Sequence, residues 1–174
     1  FDTVTLKQFE NALTDLENQG MKGLVIDLRS NPGGNLDTVV DMLRMILPEG
    51  TIVSTKDKDG NVIEEKNEED HEFKKPLAVL VNQASASASE IFAGAVQDYG
   101  VGKIVGMTTY GKGVVQQLVN LGDGTCLKVT IAEYFTAAGR SINKKGITPD
   151  VGVEYVADPD HEDADNQLDK AIEV

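Results

Sequence analysis

The chain of 174 residues holds a single cysteine, Cys126, and only two histidines, His71 and His161. One cysteine excludes an internal disulfide, although it leaves the redox compartment open. No stretch approaches the 18 or so successive apolar residues that a transmembrane helix needs. The chain also opens at Phe1 without a charged and then apolar leader, so it reads as a fragment cut from a longer protein. Basic residues are scarce: 16 Lys and Arg stand against 29 Asp and Glu, a net charge of -13. That field repels nucleic acid phosphates and anionic lipid, which argues against nucleic acid as a partner. No internal repeat or low-complexity linker interrupts the chain. What remains, with 40% apolar residues, is enough for one domain with a real core.

Leu6, Phe9, Leu13 and Leu16 recur at helical spacing, with Thr5 and Gln8 placed for a capping box and Gly20 for a stop. The run "GLVIDL" over 23–28 has the continuous apolar character of a buried parallel strand, and Asn31-Pro32-Gly33-Gly34 is turn chemistry. A second helix carries Leu36, Val39, Val40, Leu43 and Leu47 and ends before Pro48. Residues 51–75 suggest a hairpin around Asp59-Gly60, followed by a charged run from Glu64 to Glu72 that reads as a solvated excursion. "PLAVLVN" repeats the buried strand, and the next helix sets Ala88, Ile91, Phe92, Ala95, Val96 and Tyr99 on one face. Lys103 to Gly106 is a short strand. Val114 to Leu121 and Thr125 to Phe135 read as two strands joined at Gly122-Asp123-Gly124, before an acidic loop and a last helix with Leu168 and Ile172. The pattern predicts an α/β domain with a mostly parallel core and an antiparallel portion.

Chemistry centres on "NQASASASE", residues 82–90, where three serines alternate with alanines after a buried strand. Ser87 and Glu90 have capping-box spacing, so Ser87 reads first as a helix cap. A serine at a strand-to-helix turn, however, stands at the sheet's carboxyl edge beside the positive end of a helix, where an oxyanion would be stabilised. Cap and nucleophile both stay open on this ground. A nucleophile needs a base, and His71 and His161 both lie in acidic, exposed-looking runs. Lysine can serve instead if burial lowers its pKa from about 10.4. Lys112, set between Gly111 and Gly113 ahead of a β-branched strand, is the candidate. Residues 106–113 nearly spell a phosphate-binding loop, but Gly113 replaces the required hydroxyl and a strand follows where that loop needs a helix.

"DLRSNPGG", "NQASASASEIFAGAVQDYG", "GKGVVQ", "GRSI" and "GITPD", in this order, resemble the carboxyl-terminal processing proteases, also called tail-specific proteases. The resemblance implies the ClpP/crotonase-like spiral ββα core. It implies Ser87 as nucleophile, Lys112 as general base and Gln116 as the residue that orients the lysine. It implies an oxyanion hole of backbone amides at Ala88 and Gly33, with Gly34 as the alternative. Ser85 and Ser89 become structural companions. Peptide hydrolysis then runs through a Ser87 acyl-enzyme with no cofactor, neither metal nor nucleotide.

The resemblance also implies protein or peptide substrates, an extracytoplasmic setting (periplasm, cell envelope or secreted), and a PDZ domain upstream of Phe1 in the parent chain. Residues 1–174 would be that protein's catalytic core, with a homo-oligomer left open. A catalytically silent binding domain, like the retinoid-binding repeats on the same scaffold, is the competing expectation. Lys112 and Gln116 would lie about 13 Å apart on a regular strand at about 3.3 Å per residue, so a bend or bulge at Gly113 is expected. Asp98 and Arg140 read as structural, and Cys126 as a packed or inert thiol.

Overall fold

Uninterrupted apolar runs bounded by turn residues set the first sheet. The computed structural model describes residues 1–69, 73–161 and 164–174. In it, β1 (Leu24–Asp27), β4 (Leu77–Val81), β5 (Lys103–Gly106) and β8 (Val151–Gly152) pair in parallel in the order β1-β4-β5-β8. All five residues of β4 are buried, as a central strand covered on both faces requires. The second sheet is antiparallel, in the order β3-β2-β7-β6, from β2 (Gly50–Asp57), β3 (Val62–Asn67), β6 (Val114–Asn120) and β7 (Cys126–Thr136). Helices α1 (Thr5–Asn18), α2 (Leu36–Arg44), α3 (Ala88–Tyr99) and α4 (Asn166–Glu173) complete the chain. The core lies between the sheets around α2 and α3, with Leu43, Ile46, Val79, Phe92 and Ile104 fully buried.

Both turns of interest leave the same sheet edge. Asp27 stands opposite Leu80 in the β1–β4 register, so the loops after the two strands emerge side by side. The expected pairing of a parallel core with an antiparallel portion is therefore present, and it brings the glycine turn against the serine turn.

Several local expectations change. The Thr5–Gln8 capping box does not form, because Thr5 is already helical and its hydroxyl donates to Asp2 Oδ1 at 3.1 Å. The charged run is not wholly an excursion: Glu64, Glu65 and Lys66 belong to β3, while residues 70–72 lie outside the described set. Cys126 is exposed rather than packed, at the outer end of the β6–β7 hairpin.

Helix α4 turns the other face inward. Leu168 and Ile172 are exposed, whereas Gln167 and Ala171 are buried. Gln167 is inward because both ends of its amide are satisfied: Nε2 donates to Val153 O at 2.7 Å, and Oε1 accepts from Arg29 at 3.1 Å. The Arg29 guanidinium also grips Asp165, the N-cap of α4, through two bonds of 2.9 and 2.7 Å.

Those Arg29 hydrogen bonds hold the Asp165 carboxyl below its usual range. A depressed carboxyl pKa contributes stability that is complete above the unfolded value and lost as pH falls through the folded one. Acid is thus expected to release α4 first. In hydrogen exchange, the amides of 166–173 should lose protection at a higher pH than those of β4. Loss of both at one pH would show that the clamp does not tether the helix.

Candidate active site

The turn between β4 and α3 is built by its own polar side chains. Asn82 Oδ1 accepts from Ala84 N–H at 3.0 Å and, across the sheet edge, from Ser30 N–H at 2.9 Å. Ser85, fully buried, donates to Leu28 O at 2.7 Å and accepts from Asn82 N–H at 2.9 Å. Ser89 Oγ donates to Asn31 O at 3.0 Å, and Ala86 N–H reaches the same carbonyl at 3.0 Å. Ser85 and Ser89 are thus committed to stitching the two turns together.

Ser87 is held differently. It caps α3 at φ +57° and ψ -117°, a region that costs a residue with a Cβ about 1–3 kcal/mol. Such strain at a strand-to-helix turn is a means of lifting a side chain out toward solvent. Its N–H donates to Glu90 Oε2 at 2.9 Å, the carboxylate half of the anticipated capping box.

Glu90 carries more than that box. It is fully buried, and its Oε1 also accepts from Thr109 Oγ1 at 2.6 Å and Gly111 N–H at 2.7 Å. Its Oε2 accepts a second bond, from Lys112 N–H at 2.9 Å. One carboxylate therefore joins the serine turn to the lysine loop. The S-x-x-E spacing signals its local bond to Ser87, but nothing in the spacing signals the other three.

Lys112 is half-buried and its carbonyl accepts from the Tyr134 hydroxyl. A Cβ on neighbouring Gly113 would stand 2.6 Å from Asn143 N, so glycine lets the loop pack on the 143–146 turn. The expected irregularity lies further along than Gly113. Val115 pairs with Ala132 and Gln116 with Thr130, leaving Ile131 of β7 as the extra residue of a bulge. Gln116 is exposed, and its Nε2 lies 3.4 Å from Thr130 Oγ1. Ser87, Ala88, Gly34, Lys112, Gln116 and Tyr134 all line one cleft of about 390 Å3. Among the described residues, no hydrogen bond joins Ser87 Oγ to Lys112 Nζ.

At the glycine turn, a Cβ on Gly33 would stand 2.6 Å from Ala86 O and 2.8 Å from Ala88 N, at φ +96°. Glycine is required for that approach. The Gly33 N–H is already donated to Asn31 Oδ1 at 2.9 Å. Neither Gly34 N–H nor Ala88 N–H has an acceptor among the described residues.

The remaining candidates stand apart. His161 is exposed and pairs with Asp158, and His71 lies outside the described residues. Asp98 accepts from Ala138 N–H at 2.7 Å and pairs with Arg140, which also donates to Gln97 Oε1 at 3.0 Å, so both brace the loop after β7.

The sequence model described as Peptidase family S41 matches residues 1–153. The chain belongs to peptidase family S41. Its S41 relatives include the carboxyl-terminal-processing protease of Synechocystis sp., 45% identical over 154 residues, covering 88% of this chain and 36% of that protein. The carboxy-terminal processing protease CtpA of Bacillus subtilis is 39% identical, over 88% of this chain and 33% of that protein. The chain thus spans about a third of the length of these S41 relatives. Among solved structures, the photosystem II D1 C-terminal processing protease superposes with a TM-score of 0.82 at 41% identity, covering 88% of this chain and 40% of that one. A putative peptidase from Parabacteroides merdae, at 21% identity, shares the fold with a TM-score of 0.75, over 94% and 56% of the two chains. The fold is the α/β ClpP/crotonase-like spiral core of S41.

Proposed function

We propose that this S41 chain is the catalytic core of a serine endopeptidase that cleaves proteins near their carboxyl termini. The observation that carries the reading is the cleft that gathers a strained helix-capping serine, a half-buried lysine and a glutamine. Ser87 Oγ attacks the scissile carbonyl while its proton passes to Lys112 Nζ. The oxyanion rests on the N–H of Ala88 and, because Gly33 N–H is spent on Asn31, on that of Gly34. The tetrahedral species collapses, the C–N bond breaks, and Lys112 returns the proton to the leaving amine. Water then repeats the sequence on the acyl-enzyme. Gln116 orients Lys112 once its side chain leaves Thr130.

The reading extends to an upstream PDZ domain that presents substrate carboxyl ends and to a setting outside the cytoplasm. The unjoined Ser87 and Lys112 correspond to a resting arrangement, and the same observation favours one rival, a silent binding domain.

A fluorophosphonate, which phosphonylates activated serines with loss of fluoride, separates the two. In the full-length protein, wild type should label and cleave an unfolded substrate, and Ser87→Ala should do neither while keeping its circular dichroism. Ser85→Ala and Ser89→Ala should retain activity; Ser85→Ala should lower stability by about 1–3 kcal/mol because Asn82 N–H loses its acceptor, and Ser89→Ala by less because Asn31 O keeps the Ala86 N–H. An unlabelled wild type supports the binding domain, and an active Ser87→Ala ends the nucleophile assignment.

A further inference from the structure

Tyr134 reaches the cleft from the antiparallel sheet, far in sequence from Ser87 and Lys112. It is 3% exposed, paired with Thr55 of β2, and its own N–H donates to Gly113 O at 3.1 Å. The phenolic hydroxyl donates to the carbonyl of Lys112, the preceding residue. Backbone and side chain of one tyrosine thus hold two successive residues of the lysine loop. The same side chain lines one cleft with Ser87.

A phenol has one hydrogen to give and lone pairs to receive. With its hydrogen on Lys112 O, the oxygen has only lone pairs left to offer within the cleft. Burial, and then the nearby Glu90 charge, push the Tyr134 ionisation well up, so the group stays a neutral donor and is no candidate base.

We propose that the Tyr134 hydroxyl is a positioning group for the proposed Ser87–Lys112 pair, fixing the lysine main chain at a set distance from the nucleophile. The inference rests on the Ser-Lys reading. Lys112 has a long, flexible stem, and the chance that Nζ meets Ser87 Oγ depends on where its backbone is anchored. Glu90 anchors the N–H side of Lys112, and Tyr134 anchors the carbonyl side. The second anchor also lines the cleft beside Ser87.

The test is Tyr134→Phe in the full chain, which keeps the ring and deletes the hydroxyl. Tyr99→Phe is the control, because the Tyr99 hydroxyl makes a comparable bond to Thr51 O at 3.0 Å away from the cleft. Tyr134→Phe should lower kcat about tenfold or more, with KM changed by less than about threefold and fluorophosphonate labelling slowed in parallel. Its melting temperature should fall no further than that of Tyr99→Phe, whose kcat should match wild type. Retention of kcat within about twofold in folded Tyr134→Phe overturns the role. So does an equal fall in Tyr99→Phe, which would mark a general loss of stability. An unlabelled, inactive wild type would instead remove the Ser-Lys reading, and this inference with it.

Discussion

Lys112→Arg is expected to lose about a thousandfold in kcat/KM, nearly as much as Lys112→Ala, while remaining folded. A guanidinium keeps its proton throughout the accessible range and cannot take one from Ser87. Charge and length are nearly preserved, so the loss isolates the proton transfer from packing. The backbone contacts that place residue 112, its N–H on Glu90 and its carbonyl on the Tyr134 hydroxyl, do not depend on the side chain. The fold should therefore survive.

Gln116→Ala should do less damage, since it removes the proposed orienting group and leaves the proposed base. Circular dichroism on each variant completes the measurement. Strong activity in folded Lys112→Arg would exclude the lysine as base even if Ser87 proved indispensable.

Glu90→Ala should be strongly destabilising. It removes the acceptor for Ser87 N–H, Thr109 Oγ1, Gly111 N–H and Lys112 N–H together, in a fully buried place. Unpaired buried donors cost about 1–3 kcal/mol each. Even a non-additive total is a large part of the 5–15 kcal/mol that holds a typical domain.

Glu90→Gln is the finer probe, because it keeps the shape and exchanges one acceptor for an amide NH2 donor. Either orientation sets that NH2 against at least one backbone N–H, of Gly111 or of Ser87 and Lys112. We expect stability lower by about 2–4 kcal/mol. Fluorophosphonate labelling should slow at least about tenfold at a temperature where the protein is folded. An unchanged melting temperature and labelling rate would show that this carboxylate does not hold the two turns together.

Much of the architecture was legible because its signals are local. "LVID" and "LAVLV" read as strands from their apolar runs, although only β4 is fully buried and β1, at the sheet edge, is half-buried with Asp27 exposed; α3 followed from the spacing of Ile91, Phe92, Ala95 and Val96. The motifs around Ser87 and Lys112 were legible by family resemblance, which drew two distant segments together before any distance was known. The Ser87–Glu90 bond followed from three-residue spacing, since one helical turn brings those groups together.

Tertiary structure decided whatever depends on which segments meet. The reach of Glu90 to Thr109 and Lys112 requires the serine helix and the lysine loop to lie side by side, and no interval along the chain encodes that. Tyr134 enters the cleft only because β7 lies between β2 and β6 in the second sheet. The bulge falls at Ile131, where the β6–β7 register leaves an extra residue, instead of at the glycine that sequence flexibility marks. Helix α4 buries Gln167 in place of Leu168 because Arg29 and Val153 supply both partners of its amide. A buried polar group is tolerable only with partners in place, and those partners come from distant parts of the chain.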